Sequence, residues 1–185
     1  MSVSAQDLQK VQASLVKKYP GVDHIKIELL AQELQRAPDA FVLFDVREKA
    51  EYDVSHLPGA IWVEPGMTGT AFLTAHGQKI AGKMVVFYCS VGVRSSGLLD
   101  RVQNARVQNE LYRQEAMEAY NLTGGLFAWH NQGRGLVRGL VPGLIPGLVP
   151  GLVNGHSPTD LIHPYNQQWG KLIKRRTHIS YESAP

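Results

Sequence analysis

Two hydrophobic periods alternate along residues 4–129. Residues 4–19 set Leu8, Val11, Leu15 and Val16 at helical spacing among Gln, Lys and Asp, and Pro20-Gly21 stops the pattern, predicting an amphipathic helix. His24-Ile25-Lys26-Ile27 alternates as a short strand does, and Glu28 to Arg36 returns to a helix with Leu29, Leu30 and Leu34 on one side. Phe41-Val42-Leu43-Phe44 is a continuous apolar run, the signature of a strand covered on both faces of a parallel sheet. Ala60 to Val63 reads as a strand, and residues 64–83 as a connection with a short helix near residues 71–75. Met84 to Tyr88 is a second buried strand. Residues 98–117, free of Gly and Pro and rich in Arg and Glu, predict one long exposed helix. Tyr120-Asn121-Leu122 reads as the last strand, followed by a Gly124-Gly125 turn and a short helix through Trp129, whose indole is expected in the core. Strands alternating with helices define an α/β fold, a central parallel sheet flanked by helices.

The pattern then changes. Residues 135–154 are five tetrapeptides, Gly-Leu-Val-Arg, Gly-Leu-Val-Pro, Gly-Leu-Ile-Pro, Gly-Leu-Val-Pro and Gly-Leu-Val-Asn. Pro followed by Gly every four residues suits successive type II turns and breaks any helix, so this apolar stretch predicts a connector and not a membrane span. The expected organisation is an N-terminal helical extension (1–22), one domain (23–134), the repeat connector (135–154) and a C-terminal tail (155–185). In the tail, His163, Tyr165 and Trp169 read as an aromatic anchor onto the domain. Lys171, Lys174, Arg175 and Arg176 read as a solvated basic face, with no aromatic platform for RNA.

Composition narrows the functional classes. An apolar fraction of 44% with 19% charged residues belongs to a folded globular chain, and a net charge of +3 permits anionic ligands without arguing for nucleic acid. One cysteine allows no internal disulfide and no thiolate cluster for a metal. The first ten residues lack a basic segment followed by an apolar core, so a cytoplasmic protein is the expectation. Nothing in the sequence signals an oligomeric state or calls for a cofactor.

The chemistry concentrates at Cys89-Ser90-Val91-Gly92-Val93-Arg94-Ser95, where a buried strand passes through a Gly-containing loop into a helix. A loop so placed aims successive backbone N–H groups inward, a concavity suited to an anion. Cys89 on its rim would have its thiolate stabilised by those donors, by the helix dipole and by Arg94. Taken alone, a lone cysteine at a strand end is more often an inert core residue. The strand-loop-helix context with Gly92 and Arg94 in place tips the reading to a nucleophile. Upstream, Asp45-Val46-Arg47-Glu48 ends the earlier buried strand, and Glu51 and His56 follow. Here Asp45 is expected to cap a helix, Arg47 and Glu51 to pair on its surface, and His56 to sit in a turn.

Three blocks carry a family resemblance: the Cys89–Ser95 loop, the Asp45-x-Arg47…Glu51…His56-Leu57-Pro58-Gly59-Ala60 segment, and Thr123-Gly124-Gly125 with Trp129. Together they resemble the rhodanese (sulfurtransferase) family over about Ile25 to Gly133, roughly one whole domain. The family more usually has Gly before the histidine, where this chain has Ser55. Four residues separate Cys89 from Arg94, against five in cysteine phosphatases, so the cradle is smaller and suits one sulfur atom better than a phosphate. The resemblance implies a rhodanese-like single domain and a persulfide on Cys89. It also implies a small anionic sulfur donor such as thiosulfate, and an external acceptor: cyanide, a thiol or a partner protein. Ser90, Val91, Gly92, Val93, Arg94 and Ser95 would then contact the donor, with Asp45, Arg47, Glu51 and His56 supporting them. No metal, membrane or nucleic acid enters this reading. The alternatives are a non-catalytic rhodanese-like binding module and, less well matched, a cysteine phosphatase or arsenate reductase.

Overall fold

A computed structural model describes residues 5–113, 117–140 and 156–182. The chain runs through α1 (Ala5–Lys18), β1 (Asp23–Ile25), α2 (Ile27–Arg36), β2 (Phe41–Asp45), α3 (Lys49–Val54), β3 (Ile61–Trp62), α4 (Gly69–Ile80) and β4 (Met84–Tyr88). It continues through α5 (Val93–Gln108), α6 (Glu110–Arg113), β5 (Glu118–Leu122), α7 (Gly125–Asn131), β6 (Leu136–Leu140), β7 (His156–Thr159) and α8 (Gln167–Gly170).

The first five strands form one parallel sheet in the order β1-β5-β4-β2-β3. Strand periodicity divides the core cleanly between its faces. Phe41, Leu43, Val86 and Tyr88 pack on one face with Ile27, Leu30, Leu126 and Phe127 of α2 and α7. Phe44, Val85, Phe87 and Cys89 pack on the other with Phe72, Leu98, Leu99 and Val102 of α4 and α5. The rings of Phe44, Phe72 and Phe87 meet at centroid distances of 4.8–5.4 Å. This double-sided burial explains why both central strands read as unbroken apolar runs.

Chain direction reverses within the sheet between β2 and β4. From β2 the chain moves outward to β3, and from β4 it moves the other way to β5. Such a switch point opens a crevice at the carboxyl ends of the two strands, the usual ligand position in open α/β sheets.

Several expectations change. The residues 98–117 pattern is not one exposed helix: α5 begins at Val93, buries Leu98, Leu99 and Val102 against the sheet, and ends at Gln108 before the separate turn of α6. The helix of the 64–83 connection is longer than expected, because Thr68 caps it through Oγ1 accepting from Ala71 N (3.1 Å). Strand β5 is not the last. Turns were expected from Gly135 onward, yet Leu136–Leu140 is strand β6, paired antiparallel with β7. That hairpin joins the domain at His56, whose N–H donates to Val137 O (2.8 Å) while Val137 N donates to His56 O (2.9 Å). The rest of the tetrapeptide repeat lies outside the described residues.

The tail folds back against the first face of the sheet. Ile162 and Ile173 are fully buried there. Asn131 clamps the tail, donating to Leu172 O (2.9 Å) and accepting from Lys174 N (2.7 Å). Of the predicted basic cluster, Arg175 is not simply solvated, since it pairs with Asp160 (3.1 Å). Trp129 is buried as expected, its indole N–H donating to Gly135 O (3.1 Å). No described helix is long and apolar enough to cross a membrane.

Candidate active site at the switch point

Cys89 follows the last residue of β4, and the chain turns at once. Gly92 adopts φ +95°, and its N–H donates to Cys89 Sγ (3.2 Å). A Cβ there would lie 2.9 Å from Asn121 Nδ2 and 3.2 Å from Leu15 Cδ1, so the turn needs glycine for both conformation and space. Helix α5 starts at Val93, which points its unpaired first-turn amides and positive dipole end at the same concavity. Ser95 secures that turn from below, its hydroxyl donating to Asn121 Oδ1 (2.6 Å).

A second helix start holds the loop from the other side. Leu126 N donates to Cys89 O (2.8 Å) and Phe127 N to Ser90 O (3.0 Å). Gly125 (φ +60°) makes this approach feasible, since a Cβ would stand 2.4 Å from Cys89 O and 2.7 Å from Ser90 O. The paired glycines of the sequence are thus part of the site's foundation.

Glu51 sits at the centre of the arrangement, and its surface pairing with Arg47 does not occur. Only 1% exposed, its carboxylate accepts from Arg94 Nη1 (2.6 Å), Arg94 Nη2 (2.9 Å), Ser90 Oγ (2.7 Å) and Glu48 N (3.0 Å). Burial pushes its pKa up, but the Arg94 hydrogen bonds and charge outweigh that and hold it below the usual 4.5. Burial likewise opposes the Arg94 charge, yet Glu51 and the neighbouring Cys89 raise its pKa above the ordinary arginine value. Arg47 turns to Asp45 instead. Its Nε donates to Asp45 Oδ1 (2.9 Å) and Nη2 to Oδ2 (2.6 Å), both residues fully buried. Arg47 Nη2 also donates to Ser55 O (2.5 Å), and the Trp62 indole donates to Arg47 O (2.8 Å). Asp45 therefore does not cap α3; Glu48 occupies that position. Ser55 has φ −171°, extended backbone that any residue adopts, which explains why the family's usual glycine is dispensable here.

His56 is fully buried, stacked on Tyr52 at 3.8 Å, with Nδ1 on Tyr52 O (2.9 Å) and the His156 ring at 5.1 Å. It packs the β6–β7 hairpin against α3. Its pKa is pushed down to about 4, chiefly by burial.

Cys89 is 1% exposed, yet it borders a cleft of about 210 Å³. The loop supplies Ser90, Val91, Val93 and Arg94 to its lining, and the tail supplies Tyr165 and Trp169. The Arg94 guanidinium lies 4.7 Å from the Tyr165 ring centre. The aromatic tail is therefore more than an anchor. Trp169 packs against the core while lining the cleft, and Tyr165 is 45% exposed, too open to be holding the tail down. Sequence reasoning saw these rings but had no signal for which surface they face.

A Rhodanese-like domain model matches residues 27–132, more than half of the chain. The chain belongs to the rhodanese-like domain family. No curated protein matches it significantly. Among solved structures it is similar to the As-Sb reductase of Leishmania major, 23% identical over 65% of this chain and 88% of that one, with a TM-score of 0.55. It is also similar to a protein of unknown function and possible tyrosine phosphatase from Rhodopseudomonas palustris, 18% identical over 66% and 91% of the two chains, TM-score 0.51. At these identities the likeness is one of fold.

Proposed function

We propose that the protein is a sulfurtransferase that carries a sulfane sulfur as a persulfide on Cys89. One observation supports this reading: Cys89 Sγ receives the Gly92 N–H just before α5 and shares its cleft with Arg94, the cation that Glu51 holds. The Cys89 thiolate attacks the outer sulfur of a donor such as thiosulfate. An Sγ–S bond forms, the donor's S–S bond breaks, and its electron pair leaves with sulfite. The amides of Ser90 to Arg94 surround the persulfide and stabilise its negative charge. Arg94 attracts the anionic donor, and Glu51 with Ser90 holds that guanidinium in place.

Because the chain has one cysteine, the sulfur passes to another molecule: cyanide in an assay, a thiol or protein in a reducing cytoplasm. The engagement of Arg94 by Glu51 speaks against a phosphatase, where the guanidinium must be free to fork onto phosphate oxygens. The test is intact-protein mass spectrometry after incubation with thiosulfate. One added sulfur on the wild type, absent from Cys89→Ser and removed by cyanide as thiocyanate, is the expected result. A folded protein with a free thiol that takes up no sulfur from any donor overturns the proposal in favour of a binding module. Release of phosphate from an aryl phosphate would overturn it in favour of a phosphatase.

A further inference from the structure

The turn that brings the tail to the cleft is held in one shape. Tyr165 has φ 64°, a left-handed conformation that L-residues adopt only where the surroundings impose it. Tyr165 N donates to His163 Nδ1 (3.0 Å), Asn166 N to Pro164 O (2.8 Å), and Trp169 N to Asn166 Oδ1 (3.0 Å). Buried Ile162 and Ile173 pin the segment on either side. The turn thereby sets two aromatic rings beside the nucleophile. With Val91 and Val93, they make four of the seven residues around the cleft apolar or aromatic. At about 210 Å³ the space lies below the roughly 300–1,000 Å³ of drug-sized sites and above the share of a few waters at about 30 Å³ each.

The charges point the same way. Arg94 meets Glu51 at 2.6 Å and Glu48 at 3.9 Å, two carboxylates to one cation. Among the described residues Arg94 is the one cation lining the cleft, so the second charge of a dianion without apolar surface gains nothing beyond the loop amides, and the rings only strip its water. A monoanion on a flat apolar body matches every wall.

We propose that Tyr165 and Trp169 are specificity-determining residues, selecting a donor whose sulfane sulfur is carried on an organic body, an aryl or alkyl thiosulfonate, over inorganic thiosulfate. The proposal rests on the sulfurtransferase reading. The step balances: the Cys89 thiolate forms the Sγ–S bond, the donor's S–S bond breaks, and the electron pair leaves with the organic sulfinate. The persulfide and the sulfinate each keep one negative charge.

The test measures kcat/KM with benzenethiosulfonate and with thiosulfate for wild type, Tyr165→Ala, Trp169→Ala and Trp169→Leu, which removes the ring but keeps a branched apolar side chain against the core. In parallel, binding of benzenesulfinate and of sulfite to Cys89→Ser, with and without each tail substitution, is followed by calorimetry. The wild type is expected to favour benzenethiosulfonate. Each truncation should lower the ratio of the two kcat/KM values at least about fivefold, the scale of one aromatic contact. Benzenesulfinate affinity should fall in step. A ratio unchanged in Tyr165→Ala and Trp169→Leu overturns the proposal. If neither donor loads Cys89, the sulfurtransferase reading fails, and the binding arm still decides the cleft. Benzenesulfinate bound no more tightly than sulfite, or bound equally by the tail variants, overturns it.

Discussion

Glu51→Gln isolates the carboxylate on which the loop depends. Breaking a buried ion pair from one side costs about 3–5 kcal/mol. Here the stranded partner, Arg94, keeps 21% of its side chain exposed, and the amide oxygen still accepts two of the four hydrogen bonds, so about 2 kcal/mol is expected at neutral pH. Urea unfolding at several pH values measures it. Because the folded-state pKa of Glu51 lies below 4.5, its contribution is fully present above that value and is lost as pH falls through the folded value. The gap between wild type and variant should therefore be constant from neutrality down to about pH 5 and close as pH falls below the ordinary carboxylate value and through the lowered folded one. Cys89 loading should also slow in the variant, since Arg94 loses the group that orients it. A variant within about 0.5 kcal/mol of wild type at pH 7, or a gap that ignores acid, would refute the central role given to this carboxylate.

Gly125→Ala forces a Cβ to 2.4 Å from Cys89 O in a left-handed backbone, so a loss of about 3–5 kcal/mol with collapse of Cys89 loading is expected by urea melts and mass spectrometry; a loss under about 1 kcal/mol contradicts the contact. His56 supplies a separate pH dependence. With its folded pKa lowered from 6.5 to about 4, protons favour the unfolded chain, so stability is full above 6.5 and falls between 6.5 and 4, by up to about 3 kcal/mol. His56→Phe should flatten that interval in thermal melts, and an unchanged slope would exclude His56 as its source.

Much of the architecture was legible in local pattern. The continuous runs at Phe41–Phe44 and Met84–Tyr88 announced strands covered on both faces, and the break into Ser90-Val91-Gly92 marked the loop, because these signals arise from near-neighbour backbone preferences. Less legible were the boundaries that depend on packing. The helical pattern runs on past Gln108, yet α5 ends there and α6 is a separate turn, while the apolar face of α5 is hidden in a sequence that reads as polar. Strand β6 hides inside a repeat whose composition favours turns, because pairing with β7 and with His56 outweighs local preference.

The sequence by itself determined the parallel α/β sheet, the Cys89 loop and the glycines that shape it, since period, turn chemistry and strand-loop-helix order are properties of adjacent residues. Only the tertiary structure decided which charges pair. Glu51, four residues from Arg47, reaches across forty-three positions to Arg94, because the switch point sets the loops after β2 and β4 side by side and the buried Asp45 has already claimed Arg47. The tail's rings followed the same rule: their place over Cys89 comes from the burial of Ile162 and Ile173 against a sheet face that no local pattern can name.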